Sequence, residues 1–157
     1  PAPAQPLPDA LYNHIDILTP NRGELAVLSG IDTNSEEGLA QACAHMLSKA
    51  IEILLVTLGS DGVMLATKSV TKSFPAFKVE AVDTTAAGDV FNGYFAAELV
   101  NTRLGGNGSD AEKIPDGKHL RNAIQQAMAA AAIAVTQEGA IPSIPSMQAV
   151  AEFRKNN

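Results

Sequence analysis

The feature that most constrains the fold is a nearly continuous apolar segment at residues 51–57, interrupted by a single Glu. A run this short and this apolar is typical of a central strand that is covered on both faces. A Gly-Ser-Asp-Gly turn follows at residues 59–62, and residues 63–66 predict a returning strand. Helical patterns lie on either side of these strands. We therefore expect an α/β layered domain with a mixed sheet.

Weaker patterns fill in the remaining elements. Residues 15–18 predict a short strand, and residues 70–74 and 77–82 alternate enough to predict edge strands. Asn21 and Glu24 form a capping-box pattern that starts a helix ending near Gly30. Either Thr33, Asn34 or Ser35 caps a second helix, ending near Ala50, whose apolar positions are Leu39, Ala42, Cys43, Met46 and Leu47. Further helices are expected at residues 87–104, 118–136 and 147–154, with a surface loop at 104–117.

Composition excludes several classes of protein. The 157 residues suit one domain, and 17 acidic against 11 basic residues give a net charge of −6, which disfavours nucleic acid as a partner. One cysteine rules out an intrachain disulfide framework and fits a reducing compartment. No apolar run would span a bilayer, and the first eight residues do not resemble a signal peptide. We expect a cytoplasmic protein that binds no membrane.

The most informative segment for chemistry is residues 81–93, where a predicted strand gives way to a helix through small residues. The unpaired N–H groups of Ala86, Ala87, Gly88 and Asp89 would lie at the positive end of the helix dipole, which favours phosphate. The carboxylate of Asp89 could accept a proton from an attacking hydroxyl. The alternative is purely structural: Asp89 complements the dipole and Asp83 closes the turn.

The sequence Asp-Thr-Thr-Ala-Ala-Gly-Asp-x-Phe-Asn-Gly, starting at Asp83, resembles the second signature of the PfkB carbohydrate kinases. Its Ala-Ala form is similar to that of the ribokinases within this family. The resemblance implies a ribokinase-like layered α/β sandwich and ATP-dependent phosphorylation of D-ribose at the 5-hydroxyl. It implies Asp89 as the base, with Ala86, Ala87 and Gly88 as an anion hole. Another PfkB sugar or nucleoside kinase, or a non-catalytic nucleotide-binding fragment, is the alternative.

Two other segments resemble nucleotide-binding elements of the same family. Asn21 and Glu24 match its Asn-x-x-Glu element, which implies a role in placing Mg2+ and the triphosphate, although Arg22 and Gly23 depart from the usual residues between them. A helix cap is the alternative role, and both can hold together. The second segment resembles the ribokinase nucleotide loop, although alone it would predict a hairpin turn; its residues are Thr57, Leu58, Gly59, Ser60, Asp61 and Gly62.

Residues 131–145 resemble the helix end and loop that help ribokinases to enclose a monovalent cation, K+. The resemblance implies oxygen ligands, which suit a hard cation. They would come from Asp83, Thr85, Ala134, Gln137, Gly139 and Ser143. The structural alternative is an ordinary helix stop at Gly139.

The chain is considerably shorter than a ribokinase. The Gly-Gly sugar-binding signature, most sugar contacts and the lid of that family have no counterpart in it. We therefore expect residues 1–157 to be the C-terminal, ATP-binding and catalytic portion of the fold. By itself the chain is expected to be inactive. Residues 105–116 are interpreted as an inserted surface loop.

Overall fold

The computed structural model describes residues 3–105 and 117–157, with side chains up to residue 101 in the first range. The chain divides into two compact units, Pro1–Ala76 and Phe77–Asn157. In the described part, the first unit contains the strands and the second consists of helices and loops. The residues expected to form an inserted loop, 105–116, lie outside the described range except for Gly105, which ends a helix.

The first unit has a mixed sheet, as the sequence predicts, with four strands rather than the five expected. Its strands are β1 (Ile17–Leu18), β2 (Ile53–Thr57), β3 (Val63–Ala66) and β4 (Thr71–Phe74), and their order in the sheet is the same as in the chain. β1 runs parallel to β2, whereas β2–β3 and β3–β4 are antiparallel. Both β1 and β2 start two residues later than the apolar patterns suggest. The parallel pairing of β1 and β2 brings their carboxyl ends to one edge of the sheet.

Strand β2 forms the centre of the first core. Residues 53–56 are buried on both sides of the strand, which confirms the prediction of a doubly covered strand. The described part of this unit has three α-helices, α1 (Asp9–Tyr12), α2 (Arg22–Ser29) and α3 (Glu36–Leu47), and a short 3-10 helix at Gly59–Asp61. The buried cluster combines α2 and α3 with the strands through Leu25, Leu39, Ala42, Cys43, Met46, Leu47, Leu54 and Val56. The predicted apolar face of α3 is therefore confirmed.

The helix caps follow the sequence closely. Asn21 caps α2 with a complete capping box, and Gly30 ends the helix at a left-handed φ of 71°. Ser35 caps α3 by accepting the Gly38 N–H at 3.0 Å. Ser35, rather than Thr33, is the cap because the Thr33 hydroxyl donates to the Arg22 carbonyl instead. These caps satisfy N–H groups that the first turn of a helix leaves unpaired.

The prediction of an edge strand at residues 77–82 is wrong. This segment is extended but forms no ladder with another strand, and its Val82 N–H donates to the Val135 carbonyl at 2.7 Å. Phe77 and Val79 are half-buried while Lys78 and Glu80 are exposed, but residues 81 and 82 are both exposed, so the alternation in the sequence reflects burial only as far as residue 80. Alternation alone does not make a strand, because a strand also needs a neighbouring backbone to pair with.

The second unit packs three helices: α4 (Ala87–Gly105), α5 (Gly117–Ala134) and α6 (Met147–Asn156). α5 is buried along an alanine-rich face, as expected, and Ala127, Ala129 and Ala130 are almost inaccessible to solvent. Small side chains allow helix axes to approach closely, which suits the packing of α4 against α5. Arg154 ties α6 to α5 by donating to the side chains of Asn122 and Gln126. None of the helices in the described part is both long and apolar enough to cross a membrane.

An ion pair that anchors α1 gives a prediction for acid stability. Lys49 Nζ lies 2.6 Å from Asp9 Oδ1, and the hydrogen bond and charge of Lys49 hold the pKa of Asp9 below its usual 3.8. A carboxyl whose pKa is lowered in the folded state stabilises the fold at pH values above its unfolded-state pKa. This stabilisation is lost as the pH falls through the folded-state pKa. Asp9→Asn should therefore reduce the free energy of unfolding at pH 7, and the deficit should shrink below about pH 4.

Urea denaturation at a series of pH values measures this deficit. Asp16→Asn is the matched control, since Asp16 is also an exposed aspartate of this unit and has no ion-pair partner among the described residues. The control should show no comparable pH-dependent deficit. A deficit for Asp9→Asn that is the same at pH 3 and pH 7 would contradict the assignment.

Candidate functional site

The residues predicted to act in chemistry fall into two regions, one in each unit. The strand-end region consists of residues 21–24 and 57–62 in the first unit. The helix-start region consists of residues 83–89 and 134–143 in the second. Each region is described by itself.

The strand-end region forms because β1 and β2 are parallel. Just beyond β1, Asn21 pairs with Thr57 at the end of β2, and the Thr57 N–H donates to the Pro20 carbonyl at 3.0 Å. This pairing places the start of α2 beside the turn that follows β2. The structure thus brings together the two predicted nucleotide-binding elements of this unit, although they are far apart in the chain.

Asn21 and Glu24 form the capping box that the sequence predicts. Asn21 Oδ1 accepts the Glu24 N–H at 2.8 Å, and Glu24 Oε2 accepts the Asn21 N–H at 2.7 Å. Asn21 is exposed and Glu24 is half-buried. The cap uses one oxygen of each side chain, so Glu24 Oε1 and the Asn21 amide group keep their capacity to bind. An oxygen-rich, carboxylate-containing site suits Mg2+.

The turn at residues 59–62 is a closed backbone loop. The Leu58 N–H donates to the Gly62 carbonyl at 2.8 Å, and the Gly62 N–H donates to the Gly59 carbonyl at 3.0 Å. Gly59 and Gly62 have positive φ values of 61° and 95°. Ser60 and Asp61 form the exposed tip between them. The predicted hairpin turn is therefore present, with two polar side chains directed away from the core.

Sequence reasoning missed the role of Arg22 in this region. Its guanidinium donates to the Thr33 carbonyl at 2.8 Å and lies 3.7 Å from the Asp61 carboxylate. In the sequence, Arg22 only departs from a motif, and no local pattern relates it to residues so distant in the chain. The opposite charges of Arg22 and Asp61 were the one available signal.

The helix-start region is organised around Asp83. The N–H groups of Val82 and Asp83 both donate to the Val135 carbonyl, at 2.7 and 3.1 Å. The Asp83 carboxylate accepts the Thr85 N–H at 2.8 Å and the Gly139 N–H at 2.9 Å. These bonds join the segment before α4 to the segment after α5. The structure thus brings Asp83 and Thr85 together with Gly139, whereas Val135 was not identified from the sequence.

The same hydrogen bonds favour the charged form of Asp83. The Thr85 hydroxyl, the Thr85 N–H and the Gly139 N–H hold the pKa of its carboxyl below the usual 3.8. A carboxylate held ionised in this way can neutralise a cation.

Several oxygen atoms of the helix-start region retain bonding capacity. In the part of the chain that the structure describes, the carbonyls of Thr85, Gln137 and Gly139 accept no hydrogen bond. The Ala134 carbonyl accepts the Gln137 N–H, and the buried Ser143 hydroxyl donates to the Ala140 carbonyl. A donor set of carbonyls, one hydroxyl and one carboxylate fits a hard monovalent cation better than a transition metal. Within the described ranges, no cluster of three or more His, Cys, Asp or Glu side chains suits a metal.

The start of α4 offers backbone donors. Ala87 N–H donates to the Thr84 carbonyl at 3.3 Å, but among the described residues the N–H groups of Ala86, Gly88 and Asp89 have no acceptor. A Cβ at Gly88 would meet no atom within 4 Å, so the fold itself does not require glycine there. The open space leaves room for a ligand to approach the backbone. Such a helix start can bind an anion.

Ala86 adopts a backbone conformation that alanine rarely takes. Its φ is 62°, and it is the one non-glycine residue with positive φ in the described ranges. The left-handed region costs an alanine about 1–2 kcal/mol. Strain of this kind often lies at functional sites, where the surrounding structure holds it in place. The Val90 N–H donates to the Ala86 carbonyl at 2.9 Å, which ties Ala86 to the first turn of α4.

Asp89 lies in the first turn of α4 and is exposed. Its carboxylate has no hydrogen-bond or ion-pair partner among the described residues. It is therefore free to accept a proton from a bound hydroxyl, and it also complements the helix dipole.

Comparison with known proteins identifies the family. The family model described as pfkB family carbohydrate kinase matches residues 1–147. The ribokinase of Haemophilus influenzae is 40% identical over 98% of this chain, which covers 45% of that protein. The ribokinase of Staphylococcus aureus is 37% identical over 96% of this chain, again covering 45% of its length. The chain therefore spans about half the length of the relatives it matches.

Solved structures share the fold. Thermotoga maritima ribokinase matches with a TM-score of 0.79 and 39% identity, over 99% of this chain and 48% of that one. Arabidopsis thaliana ribokinase, complexed with ribose and ATP, gives 0.80 and 33%, over 96% and 44%. The prediction of a partial ribokinase-like α/β fold is thus confirmed.

Two further structures contain bound ions. An Escherichia coli protein in complex with ATP and Mg2+ gives a TM-score of 0.73 at 26% identity, over 95% of this chain and 42% of that one. A Vibrio cholerae fructokinase with fructose, ADP and potassium ion gives 0.71 and 28%, over 92% and 42%. Nucleotide and metal binding thus occur in structures of this fold, with more than one sugar.

Proposed function

Because this chain belongs to the pfkB family of carbohydrate kinases, we propose that it supplies the nucleotide-binding and catalytic portion of a ribokinase. The reaction is transfer of the γ-phosphoryl group of ATP to the 5-hydroxyl of D-ribose. The observation that carries the proposal is the start of α4, where backbone N–H groups and the Asp89 carboxylate lie together and have no partner in the part of the chain that the structure describes. Similarity to ribokinases along nearly the whole chain favours ribose over other sugars.

In the proposed mechanism, the oxygen of the ribose 5-hydroxyl attacks the γ-phosphorus, and Asp89 accepts the proton of that hydroxyl. The bond from the γ-phosphorus to the bridging oxygen breaks, and ADP leaves with the bonding electron pair. The N–H groups of Ala86, Ala87 and Gly88 stabilise the charge on the transferred phosphoryl oxygens. Ala87 would give up its long bond to Thr84 for this contact.

The strand-end region is proposed to bind the nucleotide. The turn formed by residues 57–62 holds it, and Asn21 and Glu24 would hold Mg2+, whose charge offsets that of the phosphates. Asp83, Thr85, Ala134, Gln137, Gly139 and Ser143 would hold K+. Asp83 would also hold the segment that precedes α4 in place, because its carboxylate accepts the Thr85 and Gly139 N–H groups.

The proposal also concerns the choice of sugar, the exclusion of nucleic acid as a partner, and the cellular compartment. A fructokinase shares the fold, so another sugar is the alternative substrate within the family. The net charge of −6 makes nucleic acid an unsuitable partner. One buried, free cysteine is compatible with the reducing cytoplasm, where ATP is available.

Calorimetry on the 157-residue chain tests the nucleotide site. We expect measurable but weak binding of Mg-ADP and no phosphorylation of ribose, because a site that is not enclosed leaves phosphates solvated. Glu24→Gln should weaken binding of Mg-ADP more than binding of metal-free ADP. Glu37→Gln, the same change in the first turn of α3, is the control and should leave both unchanged.

Two results would contradict the proposal. Absence of any heat of binding at millimolar Mg-ADP would remove the nucleotide site. A radiolabel assay that shows rapid ribose phosphorylation by the isolated chain would disprove the view that this chain is only one portion of the enzyme.

A further inference from the structure

Arg22, at the start of α2, forms two hydrogen bonds with Thr33, one through its side chain and one through its backbone carbonyl. Arg22 Nη1 donates to the Thr33 carbonyl at 2.8 Å, and Thr33 Oγ1 donates to the Arg22 carbonyl at 3.0 Å. Thr33 is only 3% exposed, so this anchor belongs to the core of the first unit. The hydrogen bond to the Thr33 carbonyl therefore defines the position of the guanidinium independently of its contact with Asp61.

The free side of this guanidinium faces the tip of the turn at residues 59–62. Arg22 Nη2 lies 3.7 Å from Asp61 Oδ2. Among the described residues, the Asp61 carboxylate has no other partner. The tip lies between Gly59 and Gly62, whose positive φ values allow conformations that other residues resist. The ion pair is thus the side-chain link between α2 and the tip of this turn.

We propose that Arg22 is a positioning residue that holds Asp61, and with it the tip of the turn, against the start of α2. The pair also cancels the charge of a carboxylate that would otherwise repel a polyphosphate. This second effect rests on the proposed function, because it requires the turn to bind a nucleotide. Arg22 then departs from its motif for a physical reason: its partner is an acid in the turn.

Four variants of the chain test the pair: Arg22→Glu, Asp61→Asn, the charge swap Arg22→Glu with Asp61→Arg, and the control Lys68→Glu. Lys68 undergoes the same charge change but lies in the turn between β3 and β4, at the other end of β3 from Gly62. The first readout is 15N relaxation of the Ser60 and Asp61 amides without ligand. The second is the affinity for Mg-ADP.

Arg22→Glu should increase the fast motion of both amides and weaken Mg-ADP binding about two- to fivefold, the upper part of the range for one exposed ion pair. Asp61→Asn should increase the motion with a smaller loss of affinity, since it also removes the repelling charge. The charge swap should restore the order of the tip. Such a rescue would show that the motion in Arg22→Glu comes from the broken ion pair and not from misfolding. Lys68→Glu should change neither readout.

The two readouts separate failure of this inference from failure of the proposed function. If Mg-ADP binds and Arg22→Glu changes neither amide motion nor affinity, the inference is overturned while the nucleotide site stands. If the charge swap leaves the tip as mobile as Arg22→Glu does, the inference is also overturned. If the tip follows the pairing but the parent chain binds no Mg-ADP, the positioning role is supported and the proposed function fails.

Discussion

Replacement of Asp89 by Asn in a full-length kinase that contains this chain is expected to lower kcat for ribose phosphorylation by ~10²–10⁴-fold. Asparagine keeps the shape of the side chain but cannot accept the hydroxyl proton. Asp89 is exposed and has no partner among the described residues, so its loss disrupts no other contact. Binding of Mg-ADP should remain within a few-fold of the parent value. Steady-state kinetics and calorimetry measure the two effects.

A purely structural role for Asp89 makes a different prediction. An aspartate in the first turn of α4 stabilises the helix dipole, which contributes about 0.3–1 kcal/mol. If this were its only role, Asp89→Asn would lower the free energy of unfolding slightly and leave kcat within a few-fold of the parent. Asp16→Asn, a change of the same chemistry at an exposed position outside both regions, should leave kcat intact. A small loss of kcat in Asp89→Asn would therefore disprove the assignment as the base.

Elements that depend on neighbouring residues were predictable from the sequence. The capping box of Asn21 and Glu24, the stop at Gly30 and the buried face of α3 all depend on residues a few positions apart. β2 was identified because a strand covered on both faces has a distinctive composition. Resemblance to a family, rather than residue spacing, led to the residues around Asp83.

Features that depend on distant residues were not predictable. Residues 77–80 alternate in burial, but whether the segment forms a strand depends on a neighbouring backbone that the pattern cannot report. Likewise, Arg22 meets Asp61 because parallel pairing of β1 with β2 brings the start of α2 beside the turn after β2. The Val135 carbonyl is a further case, since any residue type can supply a carbonyl.

Replacement of Gly62 by Ala is expected to lower the free energy of unfolding by about 3 kcal/mol or more. Gly62 has a φ of 95° and a ψ of −133°, a conformation that is restricted essentially to glycine. A Cβ there would also lie 2.0 Å from the Phe74 carbonyl oxygen, at the end of β4. Because backbone atoms would have to move, the turn that carries Ser60 and Asp61 should shift, and Mg-ADP binding should be lost.

Gly30→Ala is the comparison for a glycine that has a positive φ but open surroundings. Gly30 also has a positive φ, 71°, but a Cβ there would meet nothing within 4 Å. It should cost only about 1 kcal/mol, the price of the left-handed conformation. Urea denaturation followed by circular dichroism measures both variants. Equal destabilisation would show that the contact with Phe74 is unimportant. A much larger loss in Gly62→Ala would reflect both its glycine-only backbone conformation and the contact of a Cβ with the Phe74 carbonyl oxygen at the end of β4.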